Sequence, residues 1–181
     1  MRGFVSAAMC DSYFSALMTG VAWQQKPIMI YGKSVLQPRL VAWYGDADAI
    51  YKYSGVSNEP LPWLTVLAEL RTKICEYAEI ELNSVLCNLY RDGKDSMGWH
   101  ADNEAELGAH PNIASLSFGA SRRFLMQHKK NKSLTWECVL EGGDFLLMQG
   151  ATQTYYRHSV PKTTKQIGPR INLTFRRIYP Q

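Results

Sequence analysis

Cysteine and histidine are both scarce in this sequence, four of each in 181 residues. Cys10, Cys75, Cys87 and Cys138 form no C-x-x-C pair. That spacing supports neither a zinc site nor a disulfide framework, so reduced, buried thiols are expected. No stretch approaches the roughly 18 uninterrupted apolar residues of a membrane helix, so no membrane partner is expected. Asp11 interrupts the short apolar run after Arg2, so no signal peptide is expected. An intracellular protein follows from these readings, cytoplasmic in a bacterium and nuclear in a eukaryote. Repeats, low-complexity tracts and linkers are also missing, which points to one domain over residues 1–181 and, as the simplest state, a monomer. The charge surplus is small: 20 basic against 16 acidic residues, net +4. That supports a nucleic-acid partner only weakly. Its clustering matters more, at Lys129, Lys130 and Lys132 and at Lys162 and Lys165, although a solvated loop would look the same; Lys129, Lys130, Lys132 and Lys162 are the candidate phosphate contacts.

The opening third mixes helix and loop. Ser6 is placed to cap a helix running to about Met18, with Met9, Tyr13 and Leu17 at helical spacing. Pro62 suits the first turn of a second helix, whose apolar stripe is Trp63, Val66, Leu67, Leu70, Ile74 and Tyr77. From Ser84 onward the pattern turns to short β-like runs at 84–90, 112–118, 123–128, 134–140, 144–148, 154–160 and 170–178, separated by turn-forming residues. So many short strands point to a sandwich, jelly roll or barrel with the helices packed outside. The boundary between the two parts falls at 83/84.

Three groups of residues carry possible chemistry. His100 and Asp102 stand two apart, and His158 lies far downstream. Two imidazoles and one carboxylate are the ligand set of non-haem Fe(II) oxygenases, which leaves open positions on the metal. An H-x-D alone also arises by chance. The second group lies on the last strand, where period two puts Arg170, Asn172, Thr174 and Arg176 on one face and Ile171, Leu173 and Phe175 on the other. A solvated face above a core face explains that pattern. So does a pair of arginines closing on a five-carbon diacid, because six residues of strand span about 20 Å and a guanidinium fork matches a carboxylate. The third group is Asn88 and Tyr90, which share a strand face and can donate to a carboxylate or keto oxygen, or simply satisfy each other.

The order Asn88–Tyr90, Trp99–Glu104, Tyr156–Lys162 and Pro169–Arg176 resembles the AlkB family of nucleic-acid dealkylating dioxygenases. Ile113–Gly119 followed by Arg123-Phe-Leu is similar to the family's core strands. Pro38-Arg39, Tyr44–Asp46 and Tyr51–Gly55 look like its nucleotide-recognition region. The resemblance covers roughly residues 28 to 178. It implies a mainly β (α+β) chain, a double-stranded β-helix or jelly roll at 84–181 with N-terminal helices and a nucleotide-recognition region at 1–83. It implies Fe(II) on His100, Asp102 and His158, with 2-oxoglutarate and O2 as cosubstrates. Arg170 matches the partner of the distal 2-oxoglutarate carboxylate, and Asn88, Tyr90, Asn172 and Arg176 match further contacts. Tyr31, Tyr44, Tyr51, Tyr53 and Glu104 look like residues around the damaged base, although without the resemblance the tyrosines read as core aromatics.

The implied reaction is oxidative demethylation of 1-methyladenine and 3-methylcytosine in methylated DNA, single- or double-stranded. RNA or a protein side chain is the alternative substrate of the same cofactor class, and a catalytically silent nucleic-acid-binding jelly roll is the alternative of another class. Two departures stand out. Tyr31 lies near where duplex-acting relatives carry an apolar wedge, and Asn103 replaces an acid common in relatives.

Overall fold

The computed structural model describes residues 1–30, 32–53 and 56–179; of residues 29, 30, 51–53 and 56–58 it describes the backbone alone. Its framework is two antiparallel sheets facing one another. The larger has five strands in the order β11 (Phe145–Met148), β8 (Ile113–Gly119), β13 (Arg170–Arg176), β6 (Ser84–Tyr90) and β3 (Leu40–Gly45). The smaller has four, β10 (Thr135–Leu140), β9 (Arg122–His128), β12 (Tyr156–Val160) and β7 (Met97–His100). From β8 in the large sheet the chain crosses to the β9–β10 hairpin of the small one, returns to β11, crosses to β12 and returns to β13, in the manner of a jelly roll. Gly119 makes one such passage: its φ is 78°, and a Cβ there would stand 2.5 Å from the Pro169 carbonyl oxygen. Two hairpins, β1 (Pro27–Ile30) with β2 (Lys33–Leu36) and β4 (Tyr51–Tyr53) with β5 (Val56–Asn58), form sheets of their own.

Period two on the large sheet sorts its side chains into two cores. Val85, Cys87, Leu89, Ile171, Leu173 and Phe175 meet the helices α1 (Ala7–Gly20) and α2 (Thr65–Ala78) through Tyr13, Leu17, Leu67, Leu70 and Ile74. The opposite face looks into the sandwich, where Tyr90, Ile113, Phe124, Met148 and Val160 pack together. Because β13 is central, covered by helices on one side and the small sheet on the other, all seven of its residues are buried. The solvated-face reading of Arg170, Asn172, Thr174 and Arg176 is therefore overturned: they line the interior.

Several boundaries differ from the expectations. The second helix begins at Thr65, not at Pro62. Leu61 exchanges backbone hydrogen bonds with β3, its N–H to the Trp43 carbonyl and its carbonyl from the Gly45 N–H, which keeps the chain extended past the proline. β3 lies within the supposed N-terminal part yet pairs along its whole length with β6, so the sheet crosses the 83/84 boundary. β7 was not legible as a strand. The run at 154–160 divides into a single helical turn α3 (Thr152–Tyr155) and β12. Ser6 does precede α1, but its side chain makes no capping hydrogen bond. Among the described residues, no helix is long and apolar enough to cross a membrane.

Candidate metal centre and adjoining pockets

β7 and β12 are neighbours in the small sheet, and their register sets His100 directly opposite His158. The ring centroids are 4.1 Å apart. Asp102 follows in the coil just past β7, and one potential ligand atom from each of the three residues lies within 4.8 Å of the others. His100 Nδ1 sits 2.9 Å from the Gly98 carbonyl oxygen, which can only accept. Nδ1 therefore carries the proton and Nε2 presents its lone pair. Phe124 stacks on His158 at 5.4 Å and fixes the plane of that ring.

Asp102 is held at two points and bare at a third. Its Oδ1 accepts from Arg176 Nη2 at 2.8 Å, and its backbone N–H donates to Gln153 Oε1 at 3.0 Å. Its Oδ2 is buried without a hydrogen-bond partner among the described residues and lies 3.8 Å from His158 Nε2. Burial works to raise the carboxyl, but Arg176 and the two imidazoles outweigh it and hold Asp102 below the usual carboxylate range. Burial also lowers His100, and with His100 alongside it pushes His158 down to about 3 against the pull of Asp102. Near neutral pH the cluster thus offers two neutral imidazoles and one ionised carboxylate with an unused oxygen, the donor set and protonation state that an Fe(II) ion requires.

An inner pocket runs along β13 away from this cluster. Asn88, Tyr90, Arg170, Asn172, Thr174 and His158 line it. Arg170, 1% exposed, has no carboxylate partner among the described residues. Its Nη2 donates to Ser117 Oγ at 2.9 Å, whereas Nε and Nη1 are buried with no hydrogen-bond partner among the described residues. Desolvation pulls this guanidinium down to about 10. Tyr90 lies between two cations, with Arg170 at 5.3 Å and Arg122 at 5.4 Å from its ring centroid. A buried guanidinium with two unpaired nitrogens in the wall of this pocket fits a carboxylate that enters as ligand. Asn172 donates to Ser115 Oγ and the Leu116 carbonyl, and Asn88 accepts from Arg39 Nε at 2.8 Å. Arg176, the other arginine of the expected clamp, also lines this pocket; it donates Nη2 to Asp102, and its Nε is buried with no hydrogen-bond partner among the described residues.

A second pocket adjoins the cluster on its other side and shares His100, Asp102 and Arg176 with the first. Trp43, Met97, Arg39 and Glu104 are among its other lining residues. Glu104 Oε2 is buried there with no hydrogen-bond partner among the described residues. Tyr44, expected at the base, is elsewhere: alternation along β3 points Trp43 inward and Tyr44 into the helix-side core, where its hydroxyl accepts from the Ala22 N–H at 2.9 Å. Tyr31 lies outside the described residues, and so do the side chains of Tyr51 and Tyr53, whose backbone forms β4. Lys129 is already engaged, donating to the Gln153 carbonyl at 2.7 Å, whereas Lys130 and Lys132 lie exposed on the β9–β10 turn.

Residues 1–176 match the family model of the 2OG-Fe(II) oxygenase superfamily. Alpha-ketoglutarate-dependent dioxygenase alkB homolog 3 of Bos taurus is 45% identical over 98% of this chain and 65% of its own length. DNA oxidative demethylase ALKBH2 of Mus musculus is 42% identical over 84% of this chain and 67% of its own. The chain thus spans about two thirds of the length of the curated relatives it matches. The solved structure of OsALKBH1, at 16% identity, shares the fold with a TM-score of 0.70 over 98% of this chain and 96% of that one. With a metal-ligand cluster between two pockets, a jelly-roll frame and these similarities, the chain belongs to the AlkB family of Fe(II)- and 2-oxoglutarate-dependent dioxygenases.

Proposed function

We propose that this protein oxidatively demethylates N-methylated bases in DNA, with 1-methyladenine and 3-methylcytosine as substrates. The observation that carries the proposal is the buried, unpaired Glu104 Oε2 in a pocket sharing His100, Asp102 and Arg176 with the metal cluster. Both bases hold a fixed positive charge and an exocyclic amine, and a carboxylate acceptor suits both. The relative named as a DNA oxidative demethylase supports the nucleic-acid substrate class.

His100, Asp102 and His158 would hold Fe(II). Arg170 would bind the far carboxylate of 2-oxoglutarate, with Asn88, Tyr90 and Asn172 along its length. When bound, these groups and O2 supply an oxidant that hydroxylates an N-methyl C–H bond, releasing succinate, CO2 and, from the hydroxylated methyl, formaldehyde. The protein contributes placement and protection. Arg176 neutralises Asp102 on one oxygen and leaves the other for the metal. Arg39 positions Asn88 from the base side. Trp43 and Met97 exclude water from the wall of the base pocket. A base inside a duplex cannot reach this buried cluster, so the substrate nucleotide is flipped out or taken from a single strand. Lys130, Lys132 and Lys162 would contact its phosphates.

The test is formaldehyde and succinate release from oligonucleotides carrying 1-methyladenine or 3-methylcytosine, run as single strand, duplex and RNA beside a methyl-lysine peptide. Turnover of methylated DNA is expected. Turnover of the peptide alone would overturn the proposal, and turnover of RNA alone would move the substrate to RNA.

A further inference from the structure

Asp102 depends on one group that the sequence did not single out. β7 is an edge strand whose pairing ends at His100, so two residues later the backbone N–H of Asp102 has no neighbouring strand to donate to. The residue is nevertheless buried, and an unpaired buried N–H is unfavourable. Gln153 meets this need from α3, the single turn that leads into the strand bearing His158. The residue is 1% exposed. Its amide is oriented by what surrounds it: Nε2 points to Met148 Sδ at 3.5 Å, a weak acceptor, which leaves Oε1 for the Asp102 N–H. Its backbone is fixed as well, since Lys129 Nζ donates to the Gln153 carbonyl and the Lys129 N–H to the Tyr155 carbonyl, each at 2.7 Å.

We infer that Gln153 is a positioning residue of the metal centre: its side-chain oxygen joins the segment before His158 to the backbone of Asp102 and sets how the bare Oδ2 faces the two imidazoles. Arg176 fixes one carboxylate oxygen and Gln153 fixes the main chain, so the Asp102 side chain has one arrangement left, with Oδ2 toward His158. Without Gln153 the coil after β7 is free to turn its N–H toward water, and the carboxylate goes with it. The inference rests on the metal-centre reading above.

The test is anaerobic calorimetric titration of the full chain with Mn(II), for wild type, Q153M and Q153N, at a temperature where melting curves show each to be folded. Methionine keeps the length and bulk of glutamine but offers no accepting oxygen; asparagine keeps the amide but withdraws the oxygen by one methylene. Mn(II) affinity is expected to fall by roughly tenfold in Q153M, the lower end of what losing such a supporting contact costs, and by less in Q153N. A purely structural glutamine would lower the melting temperature and leave the dissociation constant of the folded protein unchanged; that result overturns the inference. If Q153M does not fold, Q153N decides, because wild-type affinity there also overturns it. Failure of the wild type to bind Mn(II) would instead refute the metal centre itself.

Discussion

Arg170→Met separates ligand binding from stability, because its two effects have opposite signs. In the wild type the guanidinium is buried with one hydrogen bond, to Ser117 Oγ, and two unpaired nitrogens, and desolvation pulls its pKa down to about 10. Burying a charge without a counterion is unfavourable, so the ligand-free fold carries this cost. A 2-oxoglutarate carboxylate supplies the missing partner. Deleting one member of a buried charge pair typically costs about 2–5 kcal/mol of binding, which is roughly 30- to 4,000-fold in Kd. Methionine retains the apolar bulk and removes the charge, so the ligand-free protein is expected to melt at the same temperature or higher. The assay is anaerobic calorimetry of 2-oxoglutarate into Mn(II)-loaded protein, with melting curves in the absence and presence of the acid. Wild type at 100 times Kd gains about 2.7 kcal/mol from ligand; the variant at the same concentration gains little. Unchanged affinity would refute the carboxylate role. A large loss of ligand-free stability would refute the claim that the charge lacks a partner.

Three further outcomes follow from other residues. Arg122 is buried and donates to the carbonyls of Asp92, Asp95 and Pro161; Arg122→Met leaves these acceptors unpaired and should cost about 3 kcal/mol, read as a melting-temperature drop of roughly 6–12 °C. A shift under 2 °C or so would show that water replaces the arginine. The two histidines titrate lower in the fold than in the unfolded chain. The unfolded chain therefore binds more protons below a histidine pKa of about 6.5, and the metal-free protein should lose stability steadily from about pH 6.5 to 5, above the range where carboxylates titrate. A flat melting temperature across that window would contradict neutral buried imidazoles. Glu104→Ala should raise KM for 3-methylcytosine oligonucleotides about tenfold or more, on the scale of one buried charge-assisted hydrogen bond, while KM for 2-oxoglutarate stays put; equal effects on both would place Glu104 outside the base pocket.

The sequence carried the features that repeat over short distances. Alternation at 170–176 put the two arginines and Asn172 on one face and the core residues on the other, and the structure keeps that division. Spacing in 66–74 marked the buried stripe of α2, and the run at 84–90 marked β6 with the same bounds. His100, Asp102 and His158 were readable as a ligand set by residue type, and the family motifs raised them above chance. Pairings between distant segments were not readable. β3 has no strong alternation because it is buried almost throughout, so nothing local showed that it completes the large sheet or that Trp43, not Tyr44, faces the pocket.

Residue type and period therefore determined the two-faced last strand and the helix stripe, each a property of neighbours in sequence, and the family motifs marked the distant trio that could hold a metal. Which arginine is free and which is paired, why Gln153 matters, and which pocket Glu104 faces were decided by tertiary contact. Arg176 meets Asp102, Arg170 meets no carboxylate among the described residues, and Gln153 meets a backbone N–H only because β7, β12, β13 and α3 converge. Charge pairing in a buried site depends on distances through space, and those are set by folding the chain back on itself.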